Sequence, residues 1–428
     1  MYLKGSKWSM LKKRRPLRIG RILFILALIG GAVYVNAVIV PETPPLFVPT
    51  QTPTRAPETF IVDAEALAMQ GKFIQSIDTY KEAVQADPRN ATNFISLAKI
   101  QIYNQQYKDA QISAENALLI NTNNPQANAM RGWALTMQDE YLLAEAAIKR
   151  ALELDNNNAM AHAFYAELLM RMVEADQGAI GAVEKAGEES KLALALAPDI
   201  METHRARGIV FQNTSNYDLA VEEFKTAIQL NPNLPDLHLY LGLAYRSLDP
   251  PQYDNAVEEF TRANALNPAD PLPDTYIART YVTIGEYAKA IQYADQAKND
   301  APTDPYMWGN LGTMYYRNRQ YTDAVVPLKL AVRGGNVPDS GEVVEGLPLD
   351  YGRIAEYYYL YGLNLARLND CNEAIQISQM LIQGVSNDET AVYNANEMIN
   401  ICQANLIGTA TPDINATPSD EITETPTP

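Results

Sequence analysis

The chain has 428 residues, 47% of them apolar, and a formal charge of −17. Residues 1–21 carry eight basic side chains and no acid, which leaves 26 basic against 51 acidic residues for everything after them. So negative a body repels phosphate backbones, which argues against nucleic-acid binding and favours basic or neutral partners.

In chain order, the basic segment 1–21 runs into Ile22–Val40, 19 residues without a charge. As a helix this stretch is about 28 Å long, close to the hydrocarbon thickness of a bilayer. The basic flank is expected to stay cytoplasmic, which sends the rest of the chain across as a single-pass protein. Val35-Asn36-Ala37 has the small-residue spacing of a signal-peptidase site, so cleavage after Ala37 is the alternative. The apolar run continues past that site to Val40, and a retained signal anchor is the preferred reading. Residues 41–57 hold six prolines among 17 residues and read as an extended linker. The acidic, Thr/Pro-rich tail 408–428 reads as disordered.

Between linker and tail the sequence repeats. An aromatic residue followed three places later by a small one occurs at Phe73/Ser76, Tyr107/Ala110, Tyr141/Ala144, Tyr217/Ala220, Tyr253/Ala256, Tyr287/Ala290 and Tyr321/Ala324. Val183/Ala186 and Cys371/Ala374 are weaker copies. The intervals are 34, 34, 42, 34, 36, 34, 34 and 50 residues, a period of 34 with three insertions. A second small column follows seven places later, from Ala83 to Ala331, and a third precedes the aromatic, with Gly132, Gly208, Gly242, Gly312 and Gly362 among its members. Small side chains in such columns let two helices approach closely. Copies close at Asp87-Pro88, Ala197-Pro198, Asn231-Pro232 and Asn267-Pro268, where proline cannot continue the preceding helix.

The stretch Trp308-x-x-Leu311-Gly312-x-x-Tyr315…Tyr321-x-x-Ala324, with Leu241-Gly242-x-x-Tyr245, resembles the tetratricopeptide repeat, a helix–turn–helix unit of 34 residues. The resemblance covers about three quarters of the chain in nine copies and implies an all-α solenoid over residues 58–387. One hairpin cannot bury its apolar stripe alone, so neighbours stack into a superhelix. The segment 388–407 suits a capping helix. Of the two cysteines, Cys371 opens the last second helix and Cys402 lies near the end of that antiparallel cap. They are a disulfide candidate, closing a loop of about 32 residues with roughly 3 kcal/mol at stake, or else two buried thiols.

The three histidines, His162, His204 and His238, share one repeat position with Phe94, Asp274 and Trp308. The expectation is packing between repeats, and no metal or other cofactor is implied. Glu222-Glu223 and Glu258-Glu259 read as solvated helix surface. The sequence holds no phosphate-cradling loop, metalloprotease helix or nucleophile elbow, so a non-enzymatic role is expected.

In proteins of this family the first helices line a concave groove. Carried onto this sequence, that face selects Met130, Phe164, Tyr240, Tyr276, Tyr306, Tyr316 and Tyr359, with Lys99, Arg205, Arg246, Arg279, Asn310, Arg317, Asn364 and Arg367 as polar companions. Tyrosine and arginine dominate interface hot spots. No Lys/Asn carboxylate clamp of the kind some family members use is present. Residues 333–350 form an insertion, expected as a loop or small hairpin. The resemblance and the anchor together imply an interaction scaffold or assembly factor outside the cytoplasm, fitting a bacterial cell envelope and binding a protein or peptide. The alternative is a regulatory or substrate-binding subunit of an envelope enzyme complex that makes polysaccharide or peptidoglycan.

Overall fold

The structure is a computed structural model and describes residues 19–39 and 56–407, apart from Asp339. The expected basic segment, most of the linker and the tail lie outside the described residues. Two compact units divide the chain at Ala56.

In the first unit helix α1 (Ile19–Tyr34) continues as a π-helical turn, Val35–Ile39. The window Gly20–Ala37 has a mean hydropathy of 1.7 and buries nothing. Apart from Arg21 helix α1 carries no charge, and its residues from Gly20 on are exposed. Its length and composition suit a membrane span, and a signal sequence has the same character.

The second unit is a run of helical hairpins. Repeat one pairs α2 (Pro57–Met69) with α3 (Phe73–Ala86), and repeat two pairs α4 (Ala91–Tyr103) with α5 (Tyr107–Ile120). Repeat three is α6 (Pro125–Thr136) and α7 (Tyr141–Leu154); repeat four is α8 (Ala159–Glu174) and α9 (Ala182–Leu196). Repeat five is α10 (Met201–Asn213) and α11 (Tyr217–Leu230); repeat six is α12 (Pro235–Ser247) and α13 (Tyr253–Leu266). Repeat seven is α14 (Pro271–Thr283) and α15 (Tyr287–Asp300); repeat eight is α16 (Pro305–Arg317) and α17 (Tyr321–Arg333). Repeat nine is α18 (Arg353–Arg367) and α19 (Cys371–Gly384), and α20 (Glu389–Ile407) packs on both as the cap.

Local chemistry sets the boundaries. Every aromatic of the first column is the first residue of a second helix. In every repeat but the sixth the turn before the second helix has a residue in the left-handed region. Gly71 and Gly285 supply it without strain, while Gln105, Asp139, Asp176, Ser215, Arg319 and Asn369 adopt it as non-glycines. Proline opens α6, α12, α14 and α16, where its missing N–H costs nothing. Asn90, Asn124, Asn158, Asp270 and Asp304 cap first helices by accepting a backbone N–H of the first turn.

The small columns are the contact surfaces. Ala83, Ala117, Ala151 and Ala227 are wholly buried, as are Ala110, Ala144, Ala220 and Ala256. A Cβ on Gly242 would lie 2.5 Å from the Phe260 ring, and one on Gly208 would lie 2.6 Å from that of Phe224. Only glycine allows α12 and α10 to approach their partner helices this closely.

The array also closes on itself. Tyr103 of α4 donates its hydroxyl to Glu202 of α10 at 2.6 Å, and the Lys99 ammonium lies 2.6 Å from the same carboxylate. The Asn233 side chain donates to the Met69 carbonyl at 2.8 Å. Met201, Leu234 and Leu237 share a core with Ala68, Leu97 and Ile100. Repeats one and two therefore pack against repeats five and six, a closure no repeat column foretells.

The insertion between repeats eight and nine forms the expected small hairpin, β1 (Gly335–Asn336) antiparallel to β2 (Val343–Val344). Val344 is buried, the Leu347 N–H donates to the Ala331 carbonyl, and the Tyr358 hydroxyl donates to the Leu347 carbonyl. Cys371 and Cys402 are joined as a disulfide with Cα atoms 5.4 Å apart, tying α19 to the cap.

Candidate functional site: the concave groove

Every even-numbered helix from α2 to α18 is the first of its hairpin, so the groove expected from the sequence lies on this set. Its two halves differ.

In repeats two to six the selected residues serve internal packing. Met130 and Phe164 are buried, and the Phe164 ring stacks on Trp133 at 4.4 Å. Arg205 is only 4% exposed. It donates to Glu167 at 2.9 Å, lies 3.1 Å from Asp236, and sits over the Trp133 and Tyr240 rings. Burial disfavours its charge, but Glu167 and Asp236 outweigh that and raise its pKa. Tyr240 stacks on Phe224 at 5.5 Å. Lys99 is taken by Glu202. The space left is a cavity of about 30 Å³ lined by Tyr103, Tyr107, Trp133, Arg205 and Leu234 among others, roughly one water molecule. Met130, Phe164 and Arg205 thus depart from the expected open face, because closure of repeats one and two against five and six covers it.

Repeats six to nine keep an open face. Tyr276 stacks on Phe260 at 5.5 Å and is partly exposed, and Tyr306 is 40% exposed. Arg246 of α12 and Arg279 of α14 have no carboxylate within ion-pair distance among the described residues. Arg279 donates to the Asn310 side-chain oxygen at 3.2 Å, and the Tyr357 hydroxyl donates to that same oxygen at 2.9 Å. Asn310 is itself buried. The Arg246 Nη1 and Arg279 Nε atoms are buried without a hydrogen-bond partner. Burial first, and then the neighbouring Arg279 and Arg353, press the Arg246 pKa down; burial and Arg353 do the same to Arg279. Arg353 and Arg317 share Glu356 at 2.5 and 3.2 Å. Tyr316 accepts from Arg367 at 3.3 Å, Tyr359 is partly buried with its pKa raised by burial, and Asn364 is buried and donates to the Tyr321 carbonyl. Sequence reasoning missed Arg353 and Glu356, which sit in the first turn of α18 after the insertion, where the repeat register is interrupted.

The histidine position has a different use from simple ring packing. His162, His204 and His238 each place Nε2 2.7–3.0 Å from the carbonyl six residues earlier, at Asn156, Pro198 and Pro232. Each Nδ1 lies 2.5–2.6 Å from Glu189, Glu223 or Glu259 of its own second helix. Trp308 makes the same bond, donating its indole N–H to the Pro302 carbonyl at 2.8 Å. Glu223 and Glu259 are therefore not plain solvated surface, whereas Glu258 is, paired only with the exposed Arg262. Among the described residues no group of three or more His, Cys, Asp and Glu side chains is placed to hold a metal ion.

Family models agree with this architecture. Two family models match, described as TPR repeat over residues 213–249 and Tetratricopeptide repeat over residues 251–312. No curated protein matches the sequence. Among solved structures the chain is similar to a tetratricopeptide repeat protein from Parabacteroides merdae ATCC 43184, at 16% identity over 60% of this chain and 98% of that one, with a TM-score of 0.39. It is also similar to MamA protein, at 24% identity over 42% of this chain and 93% of that one, with a TM-score of 0.28. No enzymatic family is indicated. Two matching family models inside nine stacked hairpins of one register show tetratricopeptide repeats in this α-solenoid, and the repeats support a role as a scaffold for protein interaction.

Proposed function

We propose that the protein is a membrane-tethered scaffold that holds a partner protein or peptide, outside the cytoplasm, in the groove of repeats six to nine. The observation that carries this reading is the contrast between the two groove halves. Arg205 is locked between two carboxylates, while Arg246 and Arg279 pair with no carboxylate among the described residues and lie near the part-exposed Tyr276, with Tyr306 exposed on the next first helix. Aromatic and arginine side chains left in this state are what interfaces consume. The partner-binding residues are accordingly Tyr276, Tyr306, Arg246 and Arg279, with Asn310 as their internal support.

The tether is supported by the apolar helix at Gly20–Ala37 and the seven cations that precede it. On this reading the Pro/Thr-rich residues 41–57 set the reach of the array. A reporter enzyme that matures only outside the cytoplasm, fused after Pro428 of the full chain, tests the topology. Activity there agrees with the proposal, and an inactive reporter with a fluorescent cytoplasmic fusion contradicts it. Capture of partners by the full chain, with and without Tyr276→Ala/Tyr306→Ala, tests the groove: unchanged capture by the double variant removes the assignment.

A further inference from the structure

The open half of the groove is rich in hydrogen-bond donors and short of acceptors. Asn310 offers one side-chain oxygen, and Arg279 and Tyr357 already share it. Among the described residues Glu356 is the carboxylate that pairs with this cluster, and it serves both Arg317 and Arg353. Four guanidinium groups against one carboxylate leave the face positive, inside a chain whose formal charge is −17. Arg246 and Arg279 are part-exposed and pair with no carboxylate among the described residues, so each can take an incoming acceptor. In the closed half, by contrast, Glu167 and Asp236 already take the donors of Arg205.

We propose that this seat takes an acidic segment of the partner, with glutamate or aspartate side chains on Arg246 and Arg279 and the peptide backbone running past Tyr276 and Tyr306. The occupant is a carboxylate-bearing peptide rather than a lone small anion, because the donors lie on successive first helices, α12 and α14, and the exposed tyrosines extend the surface to α16. Planar guanidinium groups match carboxylates in two-point geometry. The segment's charge is opposite to what the whole chain's charge favours, so long-range repulsion slows approach while the seat supplies the affinity. The inference rests on the proposed groove and narrows its partner.

The test uses the full chain in detergent and a fluorescein-labelled octapeptide of alternating glutamate and glycine, read by anisotropy. The glutamate peptide should bind at least tenfold more tightly than its glutamine counterpart, and weaken as salt rises. Arg246→Gln/Arg279→Gln should lose at least tenfold in affinity with no fall in melting temperature, since it removes two unpaired, mutually repelling charges. Arg246→Lys/Arg279→Lys should retain part of the binding, which guards against loss of fold as the explanation. Equal binding of the glutamate and glutamine peptides, or unchanged binding by the Gln variant, overturns the proposal. So does competition by millimolar inorganic phosphate, which would make the site a small-anion site. Tighter binding of a peptide of residues 408–428, the chain's own acidic tail, overturns the partner assignment in favour of self-occupation. If cellular partners are lost with Tyr276→Ala/Tyr306→Ala but kept by the Gln variant, the groove stands and only the acidic-segment proposal falls.

Discussion

Tyr103 and Glu202 are 99 residues apart in the chain, yet the tyrosine hydroxyl donates to the carboxylate at 2.6 Å. The contact closes the coil of repeats one to six and fixes which part of the groove stays open. Burial alone would raise the Glu202 pKa, but Lys99 and Tyr103 outweigh it and hold it below its usual value. A depressed carboxylate pKa adds stability above the unfolded-state pKa, which is lost as pH falls through the folded value. Glu202→Gln is expected to cost about 2 kcal/mol at pH 7, a modest loss for a buried pair because Lys99 keeps 34% of its side chain in water. Thermal melts should show the gap to wild type narrowing below about pH 4. Equal melting at pH 7 would show that closure does not depend on this pair.

The His162–Glu189 and His204–Glu223 pairs carry the opposite pH dependence. The pKa of His204 is raised chiefly by its bond to Glu223; that of His162 is raised by Glu189 and the Asn156 carbonyl despite the opposing effect of burial. The stability they add is complete below the unfolded-state pKa of about 6.5 and is lost as pH rises through the higher folded values. Glu223→Gln should therefore destabilise by about 1 kcal/mol at pH 6 and by much less at pH 9. A denaturant series at both values measures this; an equal loss at both contradicts the charged pairing.

Asp274 occupies the histidine position in repeat seven without a cation. Burial, and then Asp300, push its pKa up to about 6, while its side chain accepts from Asn264 at 3.0 Å. A raised acid pKa costs stability that accrues as pH rises from the unfolded-state value to the folded one and is complete above it. Asp274→Asn should stabilise the protein by about 2 kcal/mol at pH 8 and by little at pH 4. A melting temperature at pH 8 that does not rise would refute the burial argument.

Gly242→Ala places a methyl group 2.5 Å from the Phe260 ring. The expected cost is about 1–3 kcal/mol, from overpacking. Gly187→Ala, where nothing lies within 4 Å of the new atom, is the matched control and should be neutral or slightly stabilising. Equal melting of the two variants would remove the close-approach argument for the glycine column.

The nine hairpins were legible because several small-residue columns agree on one register, and the first residue of each second helix could be read from Phe73, Tyr107 or Tyr321 directly. The pairing of His162, His204 and His238 with acids was legible in principle. Glu189, Glu223 and Glu259 all stand six places after the first-column residue, and other repeats hold Thr79, Ser113 or Tyr293 there. Reading Glu222-Glu223 as an undivided surface pair hid this, although adjacent helical residues face about 100° apart. The Tyr103–Glu202 closure left no such mark, since superhelical pitch accumulates from small angles at each interface. For that reason Met130, Phe164 and Arg205 looked equivalent to Tyr276, Tyr306 and Arg279.

The account stands on one claim, that partners enter the groove at repeats six to nine and nowhere else on the array. A photo-activatable phenylalanine analogue placed at Tyr306, and separately at the 84%-exposed Leu119 of α5, tests it in living cells. The Tyr306 position should give a discrete protein adduct that disappears in the Tyr276→Ala background, with none from Leu119. The same adduct from Leu119, or its survival in that background, would contradict the account.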